Sequence, residues 1–278
     1  MPMMNVLFSA NDIVYPGLEL AIYTLLTHNK NVNIYVFTMD IIVGHDGVET
    51  RYCELTADQK NKLRMIVLYL DPNSEICFID VTKIYVKEIA GSVNDGSPFT
   101  PFASLRLLSD IVLTDVDDIL YLDCDVAIQS SIESMYRDCK FGADDCYGSY
   151  AYDAYDGFGE FVSGVFFMKL NKFREKGYLA KARELYKKNL YRFPDQMALR
   201  DSIKDIGRLQ ETYGYMDPIE ECGYTPAILH FTNKLNPKVY SRKAEESEMK
   251  SKVFYNRYPQ FKYVQEGCDL IDTINMKR

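Results

Sequence analysis

Strand-like and helix-like stretches alternate from the N-terminus to residue 128, and this alternation narrows the fold more than any other feature. "NVLFSA" is a short apolar strand. Pro16 then opens a helical pattern through "GLELAIYTLLTH", proline being tolerated in a first turn. "NVNIYVFTM" alternates polar with β-branched or aromatic residues and reads as a second strand. "TADQKNKLRMIVLYL" places Thr56 and Gln59 in capping-box spacing ahead of an amphipathic helix. "EICFIDV" reads as a third strand, "TPFASLRLLSDIV" as a helix and "DDILYLDCDVAI" as the next strand. The expected fold is therefore α/β, with a Rossmann-like, mostly parallel central sheet flanked by helices. Ligands of such sheets sit beyond the carboxyl ends of the strands, where "LFSAND" and "YLDCD" end.

In "DDILYLDCDVAI" the apolar run from Ile119 to Leu122 stops at two carboxylates that flank Cys124. Burying a carboxylate is costly unless something positive meets it. Read as one strand, the stretch puts Asp123 and Asp125 on one face and Cys124 on the other. Such a pair makes a divalent-cation site or a general acid and base; it equally suits a solvated turn ahead of "SSIES". His230, one of three histidines, ends the apolar stretch "TPAILHFTN". Alone it reads as a structural residue. Joined to the two carboxylates, it suits a manganese-type ion whose remaining positions are filled by phosphate oxygens.

The second half of the chain is less regular. "ADDCYGSYAYDAYDGFGE" reads as loop, "FVSGVFFMKL" as strand, "NKFREKGYLAKARELYKKNL" as helix and "PDQMALRDSI" as a helix opened after Pro194. Neither a linker nor a repeat divides the 278 residues. A net charge of −8 provides no basic footprint for nucleic acid, so a phosphate-bearing ligand needs local cations or a metal. Seven cysteines without a C-x-x-C pair argue against a structural zinc or a disulfide framework, and reduced thiols in a cytoplasm are the expectation. "MPMMNVLFSAN" has no secretory pattern, and no apolar stretch is long enough to span a bilayer. The aromatic and basic stretch from Lys250 to Lys262 reads as a packed helix with a solvated face, or alternatively as a peripheral membrane contact.

The set "LFSANDIVY", "FASLRLL", "YLDCDV", "FVSGVFFMKLNKF", "DQMAL" and "ILHFTN", in this order, resembles the family 8 glycosyltransferases, which include glycogenin and bacterial lipopolysaccharide α-glycosyltransferases. The resemblance implies a GT-A fold over residues 1–240, with 241–278 as a C-terminal helical extension. It further implies a retaining enzyme that moves a hexose from UDP-glucose or UDP-galactose to a glycan or lipid-linked acceptor. Mn²⁺ would be held by Asp123, Asp125 and His230, acting as Lewis acid for the departing UDP. The alternatives are a catalytically silent UDP-sugar-binding protein and a nucleotide-sugar pyrophosphatase.

Further roles follow by resemblance. Ser9, Ala10, Asn11 and Asp12 match the segment that receives uracil and ribose, with Tyr15 as the residue to stack on the base. Arg106 matches a donor-binding cation that reaches phosphate and sugar; the "DCD" turn (Asp123, Cys124, Asp125) matches the diphosphate contact. Asp153 lies near an aspartate that touches sugar or acceptor. Asp195 and Gln196 match the pair beside the transferred sugar. Two positions depart from the pattern. Val162 stands where relatives often carry Asn, which leaves the donor sugar open, and "HFTNKLNPKVY" replaces "H-x(5)-K-P-W", so Lys234 and Lys238 compete to clamp the phosphates.

Overall fold

The computed structural model describes residues 3–45, 48–95, 97, 99–151, 160–216, 225–231 and 266. The strands are β1 (Met4–Ser9), β2 (Val32–Thr38), β3 (Ile41–His45), β4 (Val48–Tyr52), β5 (Glu75–Asp80), β6 (Ile119–Leu122), β7 (Val126–Ile128), β8 (Cys146–Tyr150), β9 (Phe161–Met168), β10 (Gly207–Arg208), β11 (Tyr213–Met216) and β12 (Ile228–His230). The helices are α1 (Tyr15–His28), α2 (Ala57–Leu70), α3 (Thr82–Glu88), α4 (Ser109–Val112), α5 (Glu133–Phe141), α6 (Leu170–Lys176), α7 (Tyr178–Lys188) and α8 (Pro194–Ser202), with a 3-10 helix over Pro101–Leu108. Seven strands form one sheet in the order β10-β8-β9-β6-β1-β2-β5. The β6-β1-β2-β5 half is parallel, and β9 runs antiparallel to both β6 and β8.

Side-chain alternation sorts the two cores. Val6, Phe8, Leu120 and Leu122 point to the face covered by α1 and α2. Leu7, Ile119 and Tyr121 point to the opposite face, covered by the 3-10 helix, α7 and α8. The capping box of α2 forms as expected: Thr56 Oγ1 accepts from the Gln59 N–H, and Gln59 Oε1 accepts from the Thr56 N–H.

Three expectations change. "DDILYLDCDVAI" is two strands, not one. The chain leaves the large sheet after Leu122, turns through Asp123–Asp125, and enters a three-stranded sheet of order β11-β12-β7. "NKFREKGYLAKARELYKKNL" breaks into α6 and α7 at Gly177, whose φ of 66° is a left-handed conformation open to glycine at little cost. "TPFASLRLLSDIV" is mostly 3-10 rather than α-helical, passing to α4 only at Ser109. The sequence reading also missed the β3–β4 hairpin, α3, and β8 inside the stretch read as loop. The extension at 241–278 falls almost wholly outside the described residues, with only Glu266 among them.

Candidate active site

The site forms where β1 and β6, parallel neighbours, reach their carboxyl ends. Asp123 continues the Tyr121 face of β6, and its N–H donates to the Gly164 carbonyl of β9 at 2.8 Å. His230 arrives from far along the chain because β12 pairs antiparallel with β7, His230 opposite Val126, and the Phe231 N–H donates to the Asp125 carbonyl at 2.9 Å. The imidazole Nε2 thereby lies 3.3 Å from Asp125 Oδ1 and 3.6 Å from Asp123 Oδ2.

The positive charge that meets Asp123 is Arg106. Arg106 is buried, at 2% exposure. Nη2 donates to Asp123 Oδ1 at 2.7 Å, Nη1 to the Ser163 carbonyl at 2.5 Å and Nε to the Ala103 carbonyl at 2.9 Å. Nε also stands 3.2 Å from Asp195 Oδ2. The Tyr121 ring lies against the guanidinium, 3.9 Å from its carbon to the ring centroid, and the Tyr121 hydroxyl donates to Asp123 Oδ1 at 2.9 Å. Arg106 thus joins two carboxylates that come from different elements. Burial opposes its charge, yet Asp123 and Asp195 outweigh that and raise its proton affinity.

Asp195 and Gln196 open α8 directly after Pro194. Burial raises the Asp195 pKa, against the pull of Arg106. Ser163 touches this pair twice: its hydroxyl faces Asp195 Oδ2 at 3.4 Å, and its N–H donates to Gln196 Oε1 at 3.3 Å. His230 is also buried. Burial alone would lower its pKa, but Asp125 and then Asp123 outweigh it and the net shift is upward.

The segment from Ser9 to Tyr15 lies beside this cluster. The Cys124 thiol donates to the Ser9 carbonyl at 3.3 Å, on the side away from the carboxylate cluster. The Ala10 N–H donates to Phe37. Asn11 is buried, and its Oδ1 accepts from the N–H groups of Ile13 and Val14 at 3.2 and 3.0 Å, so this oxygen already closes the turn into α1. Asp12 is tied through its backbone to Cys53 and Gln59. Tyr15 packs on the core with its hydroxyl on Glu19. Asp153, Lys234 and Lys238 lie outside the described residues.

Among the described residues, Asp123, Asp125 and His230 bring one ligand atom each within 4.8 Å of one another. Two carboxylates supply the oxygen ligands that suit a divalent ion such as Mn²⁺, and the imidazole adds a nitrogen that first-row transition ions accept. Gly164 leaves the space they need: a Cβ there would stand 2.7 Å from Asp123 Oδ2 and 2.8 Å from His230 Nε2. The residues therefore fit the group. Sequence reading missed three parts of this site, namely Tyr121, Ser163 and Gly164. The available signal was spacing: Tyr121 is two residues before Asp123 on one strand face, and Gly164 sits inside "FVSGV".

The sequence profile of glycosyl transferase family 8 matches residues 5–237. The chain belongs to that family. No curated protein matches the sequence. Among solved structures, the apo form of the glycosyltransferase GlyE of Streptococcus pneumoniae TIGR4 is similar at 20% identity and a TM-score of 0.60, over 94% of this chain and 64% of GlyE. The chain therefore spans less than two thirds of that relative. The galactosyltransferase LgtC, in complex with donor and acceptor sugar analogs, aligns at 15% identity and a TM-score of 0.58, over 90% of this chain and 94% of LgtC. Mouse xyloside xylosyltransferase 1 aligns at 11% identity and a TM-score of 0.56, over 84% of this chain and 98% of its own. What the family 8 protein shares with these structures is the GT-A glycosyltransferase fold, a central mostly parallel sheet flanked by helices. No helix among its described residues is long and apolar enough to cross a membrane.

Proposed function

We propose that this glycosyltransferase uses Mn²⁺ to move a hexose, glucose or galactose, from UDP to a glycan or lipid-linked acceptor with retention of configuration. The observation that carries the reading is the meeting of Asp123, Asp125 and His230 with the Arg106–Asp195 pair at the carboxyl ends of β1 and β6. Residues 1–240 act as the catalytic domain, in the cytoplasm or at a membrane surface. Asp123, Asp125 and His230 hold the ion, which when bound supplies Lewis-acid charge against the diphosphate. Ser9 to Asp12 receive the nucleoside, with Tyr15 beside the base, and Lys234 or Lys238 closes on the phosphates.

Arg106 holds Asp123 and Asp195 in place from below. Asp195 accepts hydroxyls of the transferred sugar, and the carbonyl dipole of Gln196 faces the positive charge that builds on its ring. An amide is a poor nucleophile and a poor base, which supports front-face attack over double displacement. The anomeric carbon–phosphate oxygen bond breaks while the acceptor oxygen bonds the same carbon on the same face. The acceptor's proton passes to the departing phosphate oxygen.

A screen of UDP-sugars with Mn²⁺, reading out UDP release and product configuration, tests the reading. UDP with an α-linked product supports it. UMP and sugar phosphate identify a pyrophosphatase, and tight binding without turnover identifies a silent binding protein.

A further inference from the structure

We infer that Tyr121 is a positioning residue of the transfer site, and that its hydroxyl is needed to present Asp123 to the metal. The proposal rests on the Mn²⁺ reading above. Tyr121 is buried at 2% exposure in the middle of the sheet, paired with Leu7 of β1 and Phe166 of β9, so its backbone is held on both sides. From there its side chain reaches Asp123 with the hydroxyl and Arg106 with the ring face. The hydroxyl donates to Asp123 Oδ1 at 2.9 Å, the same oxygen that accepts from Arg106 at 2.7 Å. The ring floors the Arg106 guanidinium at 3.9 Å. Two donors on Oδ1 hold the carboxylate in one rotamer and leave Oδ2 turned toward His230, 3.6 Å away. A buried ring beneath a desolvated guanidinium also fixes the plane in which Arg106 reaches both Asp123 and Asp195.

Removing the hydroxyl and removing the ring therefore have different consequences. Tyr121→Phe keeps the ring under Arg106 and frees Asp123 Oδ1 from one donor. Groups that orient a metal ligand in this way typically change metal affinity 10- to 100-fold. Tyr121→Leu removes the floor of Arg106 as well, so its defect extends to Asp195 and the sugar side.

The experiment measures free Mn²⁺ by electron paramagnetic resonance in the presence of UDP, alongside thermal unfolding and steady-state kinetics. Tyr121→Phe is expected to bind Mn²⁺ about 10-fold more weakly, to unfold within a few degrees of the parent, and to regain parental kcat when Mn²⁺ is raised. Tyr121→Leu is expected to keep a lowered kcat at saturating Mn²⁺. Parental Mn²⁺ affinity in a folded Tyr121→Phe overturns the positioning role while leaving the metal reading intact. Absence of Mn²⁺ binding by the parent protein with UDP overturns the metal reading itself, and the proposal with it.

Discussion

Gly164 of β9 packs directly against His230 of β12: a single methyl added at Gly164 would overlap the imidazole and lie 2.7 Å from Asp123 Oδ2. The two strands belong to different sheets, and the missing side chain is what lets them close on the carboxylates. Gly164→Ala should therefore cost about 1–3 kcal/mol of stability by overpacking and should abolish measurable Mn²⁺ binding. Calorimetric titration with Mn²⁺ and UDP, together with urea unfolding, checks both parts. Unchanged metal affinity in the variant would show that the ion sits elsewhere.

The upward shift of His230 predicts a specific pH dependence. The two carboxylates raise the folded-state pKa above the ordinary 6.5, so the protonated imidazole stabilises the metal-free protein fully below that value. The stabilisation is lost as pH rises through the raised pKa. Melting temperature in EDTA should thus fall as pH rises above about 6.5, and the slope should flatten in His230→Gln. Mn²⁺ must displace the same proton, so the melting increment from Mn²⁺ plus UDP should grow over the same interval. Scanning fluorimetry across the range measures all three slopes.

Arg183 predicts a stability effect remote from the chemistry. Its guanidinium is buried, donates to Asp110 at 2.6 and 3.4 Å and to the Leu107 carbonyl at 2.6 Å, and so ties α7 to the helix that carries Arg106. Arg183→Met leaves the Asp110 carboxylate buried without this partner and should cost about 3–5 kcal/mol. Arg183→Met with Asp110→Leu should recover most of the loss, because the cost lies in the orphaned charge. Urea unfolding of the single and double variants decides the matter.

For the transferred sugar, Gln196→Ala should slow turnover by about 10- to 1000-fold, the range for one preorganised polar group, without loss of donor binding. The Ser163 N–H that now donates to Gln196 Oε1 is the group left over, so the variant should also lose a little stability. NMR of the product formed from a UDP-α-hexose is the companion measurement. A β-linked product would overturn front-face attack.

Some of this molecule was legible in one dimension because the information is local. The short apolar run "NVLFSA" and the alternating "NVNIYVFTM" read as strands from their own residues, and the structure has the parallel strands β1 and β2 there. The capping box from Thr56 to Gln59 spans four residues and needs no tertiary context. The "DCD" turn and His230 stood out because charged and imidazole groups ended apolar runs. What the sequence left open depends on contacts between distant segments. Nothing in "ILYLDCDVAI" says that the strand breaks at Asp123, because the break is enforced by β7 finding β12 rather than continuing beside β9. That pairing carries His230 to Asp125. The resemblance made Arg106 a donor-binding cation; that the packing of the 3-10 helix on Tyr121 buries it between Asp123 and Asp195 is visible only in the tertiary structure. Residue identity determined which groups were available for chemistry; only the closure of two sheets around a glycine decided that they meet.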